Sequence, residues 1–567
     1  MKKTLFCLLL ACTLSGFTLR AQNQANPVAI EVNLNQTTHQ PLTPIWRFFG
    51  YDEADYTFMK DGKKLLTELA GLTPLPVYLR THNLLTTGNG IPALKWSSTN
   101  AYTEDSKGNP IYSWKILDSI FDAYISRKTK PLVEVGFMPE ALSVKPESDR
   151  YQTTPDGKKV YHYTGWNYPP KDYQKFAALV YQWVLHSVAR YGKKEVESWY
   201  WEIWNEPDIS YWKGTPEEYC KLYDYSVDAI KRALPTAKVG GPETTSPKSP
   251  KAGAFLKTFL DHVTAGTSAV NGKNGIPIDF LTFHSKGETK VIDKAVWMNI
   301  GTQLSNIDRG FEIIAGYPSL KHLPIIIGES DPESCGACSA DVFPQNSYRN
   351  SALYASYTAV SVARECDLAA YRGVNLLGAV TWAFEFENQP WFRGFRELST
   401  NGVDKPVLNV FRMFGMMHGN KVALTSNSPY NYKNICDSSV RGKQADVNGL
   451  ATFDGKSVYI MIWNYHDKDD NTVADAPVSL GLSGLNTKLV TITHYRIDQQ
   501  HSNAYTVWKQ MNAPQQPSEQ QYLELQNAGK LQLLSPPEMA SVARKQLKLS
   551  FNLPRQGVSL LVITPKN

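Results

Sequence analysis

From about residue 45 the chain alternates between short apolar runs and longer stretches whose apolar residues recur at three- and four-residue spacing. Eight of the short runs read as strands: WRFFGY near Trp46, LPVYLR near Val77, PLVEVGF near Val133, SWYWEIWNE near Trp201, AKVGGPE near Val239, IDFLTFHS near Leu281, PIIIGES near Ile326 and GAVTWAFEF near Val380. Stretches such as YQKFAALVYQWVLHSVARYG and PEEYCKLYDYSVDAIKRAL, either side of the fourth run, carry one apolar face at helical period. Strand, polar turn and helix in this repeating order predict parallel βα units. Eight of them over ~350 residues predict a closed α/β architecture, a (β/α)8 TIM barrel, rather than an open sheet.

After about residue 420 the period shortens to two. Segments such as VYIMIWNY, LVTITHYRI, KLQLLS, LKLSFNL and GVSLLVITP, separated by Asn, Gly, Pro and charged turns, predict an accessory antiparallel β-sandwich. VAIEVNLN near Val32 precedes the barrel and has the alternation to pair with this tail. The predicted division is a catalytic barrel over 40–420 and a sandwich from 23–39 plus 421–567. The opening MKKTLFCLLLACTLSGFTLRAQ sets two lysines before a short apolar stretch and a small-residue end, the layout of a cleaved signal peptide over 1–22. A secreted or periplasmic location is expected, with lipidation at Cys12 the lesser alternative. No later stretch has the apolar length to span a bilayer.

Composition changes this picture in three places. A length of 567 residues exceeds what one core usually serves, so two cores are expected. The net charge of +6 is spread over interspersed acids and bases with no basic run beyond the first residues, so nucleic acid is not an expected partner. Cys220, Cys335, Cys338, Cys366 and Cys436 follow the signal, an odd number that leaves at least one thiol unpaired within the chain. Cys335 and Cys338 have no second such pair or HxxxH nearby to complete a zinc site, and read as a loop staple or two free thiols. No metal or cofactor is expected.

In a parallel barrel the reactive groups gather at the C-terminal strand ends. Glu206 ends the fourth run in WEIWNEP, where Pro207 stops the extended chain, and Glu329 ends the seventh in PIIIGES. Either carboxylate alone reads as well as a salt-bridged strand end. Together, on strands close enough to face each other across the barrel mouth, they form the pair that glycoside hydrolysis needs, one protonated and one ionised.

Asn205-Glu206-Pro207 with a second strand-end glutamate resembles the signature of clan A of the glycoside hydrolases. Six further segments resemble glycoside hydrolase family 39: GYDEADYT from Gly50, YLRTHN from Tyr78, VEVGFMPEAL from Val133, VGGPET from Val239, IDFLTFHSKG from Ile278, and the stretch from TWAFEFENQPWF through GVDKPVLNVFRMF. They run through the whole barrel in order. The family includes β-xylosidases and α-L-iduronidases and carries a β-sandwich beside the barrel. The resemblance implies a retaining, exo-acting hydrolase of oligo- or polysaccharide, with Glu206 as general acid/base and Glu329 as nucleophile. It sets Asn205 on the hydroxyl beside the reacting carbon, His82 on the terminal sugar, and His284 near nucleophile and substrate, with Arg80 bracing the acid/base end. The family's substrate-contacting Phe-Glu aligns with Phe384-Glu385 or Phe386-Glu387, and Glu387 is the preferred reading. Trp382, Phe137 and Trp391 are candidate walls of the sugar subsite and equally candidate core fillers. Ser330 stands where many members have an aromatic residue, and the eighth-strand loop is short. These departures leave the sugar open: a β-xyloside leads, with β-glucoside, β-galactoside, arabinoside or uronide behind it, Lys286 being the candidate cation for a uronide. The alternative of a different class is a non-catalytic carbohydrate-binding barrel.

Overall fold

A computed structural model describes residues 27–147, 151–153, 159–161, 165–470 and 472–566. The predicted signal peptide lies outside them. The eight predicted runs are eight parallel strands that close into a barrel: β1 (Phe48–Tyr51), β2 (Tyr78–Thr81), β3 (Lys130–Val135), β4 (Tyr200–Ile203), β5 (Lys238–Thr244), β6 (Phe280–Lys286), β7 (Pro324–Asp331) and β8 (Asn375–Thr381). The surrounding helices start where their sequences provide partners for the first amides. Asp172 accepts from the amides of Gln174 and Lys175 to open Tyr173–Tyr191. Thr215 and Glu218 form a reciprocal cap, with Pro216 in the first turn, to open Pro216–Ala233.

Because side chains alternate along a strand, inward positions recur every second residue. Phe48, Tyr78, Leu132, Tyr200, Phe280 and Ile326 form one apolar cluster that closes the barrel floor. Two residues further along the same strands come Gly50, Arg80, Glu134, Glu202, Thr282 and Gly328. The barrel interior thus changes from apolar to charged within one strand repeat toward its C-terminal mouth.

The second domain is one ten-stranded mixed sheet. Its order runs Gln532–Leu533, Leu489–Ile497, Val558–Pro565, Val458–Tyr465, Asp446–Phe453, Asn420–Ser426, Val28–Pro41, Ala476–Ser483 and Gln546–Leu553, with Glu538–Ser541 also on Leu489–Ile497. Ile30, Val32, Leu480 and Leu482 from one end share a core with Ile460, Val490, Ile492 and Ile563 from the other, so the sheet curls over itself as a sandwich. The expected antiparallel pattern has one exception: Val28–Pro41 runs parallel to Ala476–Ser483. A connection through the whole barrel separates these two strands, and only tight turns force neighbours to be antiparallel. Three helices in the tail, Tyr432–Ser438, Ala504–Gln510 and Glu519–Gly529, do not follow from the alternation.

The helix Ala352–Arg372 joins the two domains. It is buried on nearly every face, as expected of a helix with apolar or small residues all round. Ser356 Oγ donates to Gln556 Oε1 at 2.9 Å, and Arg364 Nη2 lies 3.4 Å from Asp446 Oδ2 in the sheet. Cys335 and Cys338 form a disulfide within the β7 loop, while Cys220, Cys366 and Cys436 are free thiols. Among the described residues no helix is long and apolar enough to cross a membrane.

Candidate active site

The charged layer opens into a cluster at the C-terminal ends of the strands. Glu329, at the end of β7 and 5 % exposed, has Lys286 Nζ 2.6 Å from its Oε2. Around its Oε1 stand His82 Nε2 at 3.5 Å, Arg80 Nη1 at 3.6 Å and His284 Nδ1 at 3.7 Å. Burial would raise the proton affinity of this carboxyl. The cations Lys286, His284, His82 and Arg80 outweigh burial and hold it well below the usual carboxylate range.

Glu206 follows β4 in a left-handed backbone conformation, φ 43°, which few residues other than glycine adopt. Its amide donates to the carbonyl of Glu243 at 2.9 Å, and its Oε1 lies 2.9 Å from His284 Nδ1. His284 therefore touches both strand-end glutamates. Burial opposes a charge on this imidazole, but Glu329, Glu243 and Glu206 push its pKa up to about 10, so the ring is cationic near neutrality.

Arg80 is fully buried and ties the layer together. Its Nε lies 2.6 Å from Glu202 Oε2, and its Nη2 lies 3.0 Å from Glu134 Oε2 and donates to Asn205 Oδ1 at 3.0 Å. Burial pushes Glu134 and Glu202 upward toward their neutral forms. Glu243 is moved the other way, because His284 and Arg80 outweigh its burial.

His82 Nδ1 is 2.6 Å from Asp52 Oδ1, and Asp52 with Glu134 raises the imidazole's proton affinity against the effect of burial. Trp382 lies beside it, ring centroids 4.4 Å apart, with the Arg80 guanidinium 5.2 Å from the indole centroid. Gly50 is the reason the indole fits: a Cβ there would stand 2.3 Å from Trp382 Cε3. Phe137 packs against His82, Trp166, Trp204 and Tyr211.

Of the residues singled out from sequence, Asn205, Glu206, His82, His284, Glu329 and Trp382 are gathered here, together with Arg80 and Lys286. Glu387 is not brought to this cluster by its described contacts; its Oε2 accepts from the Asp61 amide at the start of the helix Lys60–Ala70. Glu385 is buried against Ser399 and accepts from the Gly402 amide at 3.0 Å. Trp391 packs with Phe392, Trp508 and Leu525 at the contact with the tail helices.

Besides Glu134 and Glu202 of the buried layer, sequence reasoning left four members of the site without a role. Asp52 and Glu243 lie within GYDE and GGPET, segments noted for their resemblance and not for their acids. Tyr211 and Lys95 come from loops with no periodic signal. The Lys95 ammonium is held charged by Tyr211 first, then by Asp52 and Glu206 against the effect of burial. Among the described residues no group of three or more His, Cys, Asp or Glu is arranged to hold a metal ion.

The sequence profile of glycosyl hydrolases family 39 matches residues 28–541. A β-xylosidase of Caldicellulosiruptor saccharolyticus is 27% identical over 436 residues, 74% of this chain and 77% of that protein. An α-L-iduronidase of Mus musculus is 22% identical over 520 residues, 85% of this chain and 73% of that one. The crystal structure of a monomeric β-xylosidase from Caulobacter crescentus CB15 superposes with a TM-score of 0.73 at 21% identity, covering 95% of this chain and 100% of that one.

Proposed function

The chain belongs to glycoside hydrolase family 39, and from that premise we propose that it removes a terminal sugar from an oligo- or polysaccharide with retention of configuration. Glu206 serves as general acid/base and Glu329 as nucleophile. The observation that carries this reading is the position of His284 Nδ1, 2.9 Å from Glu206 and 3.7 Å from Glu329. Those two legs laid end to end bound the gap between the carboxylate oxygens. The bound falls at the lower edge of the ~6.5–9.5 Å that an inverting enzyme keeps open for water, and it admits the ~5–5.5 Å of a retaining one.

The electrostatics support the division of labour. Glu329, held as an anion by its cations, attacks the anomeric carbon. Glu206, the more exposed of the two, delivers a proton to the leaving oxygen and then withdraws one from the water that releases the sugar. Asn205 has its amide oxygen engaged by Arg80, which leaves its NH2 to donate to the hydroxyl beside the reacting carbon.

A β-xyloside is the leading substrate, supported by the name of the Caldicellulosiruptor relative. A uronide is the second reading, favoured by two lysines at the site, Lys286 against Glu329 and Lys95 facing Asp52 and Glu206. A secreted or periplasmic location is part of the proposal. It is supported by the signal-like opening and by the Cys335–Cys338 disulfide, which an oxidising compartment preserves; cell fractionation tests it.

The enzymatic test is a panel of aryl β-xyloside, β-glucoside, β-galactoside, α-L-arabinoside and uronides, with the first-formed anomer followed by proton NMR. Release of one sugar as the retained anomer is expected, and an inverted product would defeat the nucleophile assignment. Release from none of them would favour a carbohydrate-binding barrel. Glu206→Ala should lose most on substrates with poor leaving groups, which need protonation, and recover in part with azide.

A further inference from the structure

Glu243 is fully buried at the end of β5 and has no part in the chemistry described so far. Three observations converge on it. Its carbonyl accepts the amide of Glu206 at 2.9 Å, and both residues have left-handed backbones, φ 56° and 43°. Single residues of this kind are strained and persist only where the surroundings fix them. Its Oε1 lies 3.1 Å from His284 Nε2, on the opposite side of the imidazole from Glu206. Lastly, its carboxylate occupies the space beside the strand that carries the nucleophile. A Cβ on Gly328 would stand 1.2 Å from Glu243 Oε1, so the residue before Glu329 has to be glycine for this carboxylate to sit there.

From this geometry we infer that Glu243 is a positioning residue for the acid/base, holding the Glu206 main chain by its own carbonyl and the Glu206 carboxyl through His284. The inference rests on the reading of Glu206 as acid/base. A protonated imidazole between two carboxylates can donate its Nδ1 proton to Glu206, 2.9 Å away. The anion of Glu243 behind the ring makes that proton harder to lose, and keeps it available to the leaving oxygen up to higher pH. The charged groups facing the trio are Arg80 on β2, Glu134 on β3, Glu202 on β4, Lys286 on β6 and Glu329 on β7, with Lys95 and Asp208 from loops beside Glu206. Substituting Glu243 leaves all of these in place, and its amide remains free to donate to Thr282 Oγ1.

The test compares wild type, Glu243→Gln and Glu243→Asp on two aryl glycosides of the released sugar, one with a 2,4-dinitrophenyl and one with an unactivated phenyl leaving group. Glu243→Gln should lose ~10- to 100-fold in kcat on the phenyl glycoside and much less on the dinitrophenyl one. The alkaline limb of its kcat/KM profile should move ~1 unit or more toward acid. Glu243→Asp, which keeps the charge, should return that limb toward the wild-type position. Equal losses on both substrates with an unmoved limb would overturn the inference. If Glu206→Ala showed no leaving-group dependence, the acid/base reading itself would fall and the role of Glu243 with it. Should the variants not fold, 15N chemical shifts of the wild-type imidazoles decide: His284 doubly protonated at pH 7 is expected, and a neutral ring overturns the inference.

Discussion

The barrel and the sheet rest on the same alternation of side chains, yet they fill their interiors differently. In the sheet the inward positions carry Ile30, Val32, Ile460, Ile462, Val490, Ile492 and their like, a dry aliphatic core. In the barrel one inward ring is equally apolar, and the next holds Arg80, Glu134 and Glu202 with no solvent exposure. Withdrawing such ions from water costs several kcal/mol each unless they are paired, and even paired they seldom outdo a hydrophobic replacement. Packing explains the sheet and the barrel floor. The mouth half of the barrel is specified by the chemistry above it.

That contrast can be broken at its strongest point first. Glu329→Ala should reduce turnover by ~10⁴-fold or more while circular dichroism shows an intact fold. A variant that kept a tenth of the activity would remove the nucleophile from this residue. Arg80→Leu should destabilise the protein by ~3–5 kcal/mol in urea unfolding, because it strands Glu134, Glu202 and Glu243 without their shared cation. A cost below ~1 kcal/mol would mean that the buried carboxyls take up protons once it is gone. In the sheet, Ile460→Val should cost only ~0.5–1.5 kcal/mol and leave kcat unchanged, since it shortens one side chain in an apolar core remote from the charges. A change in kcat would reveal coupling through the helix Ala352–Arg372.

The smallest effect is one of pH. Burial, and then Glu397, raises the Glu385 carboxyl to about 8. The folded protein therefore keeps a proton that the unfolded chain releases above its ordinary value of 4.5. The stability this provides is complete below about 4.5 and is lost as pH rises toward 8. Glu385→Gln should make the decline of Tm across that window shallower. An unchanged decline would assign it to other buried acids.

The barrel was legible because each strand is an apolar run bounded by turn residues, and the placing of Glu206 and Glu329 at its mouth because they end two of those runs. The charged ring was equally present in the sequence, as Tyr78 then Arg80, Leu132 then Glu134, Tyr200 then Glu202. Apart from Arg80 it was not legible, because a charge inside a strand carries no sign of which face it takes. Its partners, moreover, come from different strands, far apart in the chain. Glu243 was hidden differently: its importance lies in a carbonyl and in the space left by Gly328, and neither has a side-chain signature. The tail helices were missed since NAYTVWKQ and SEQQYLELQNAG are short and flanked by strongly alternating strands, although Ser518 and Gln521 form a reciprocal helix cap. Phe384-Glu385 and Phe386-Glu387 could not be ranked from sequence because both follow the end of β8, where the loop path decides which side chain turns inward.

The strand Val28–Pro41 lies between Asn420–Ser426 and Ala476–Ser483, and its hydrogen-bonded contacts reach as far as Val32 and Ser483, 451 positions apart. During synthesis it emerges among the earliest described segments and has to wait, unmatched, while the entire barrel is made. Contacts at such separation form slowly, and an idle strand edge is a site for wrong partners. The polar residues Glu31, Asn33, Asn35 and Gln36 along it blunt that hazard. The sandwich is therefore expected to assemble last in time, with the head of the chain held in reserve until its tail arrives.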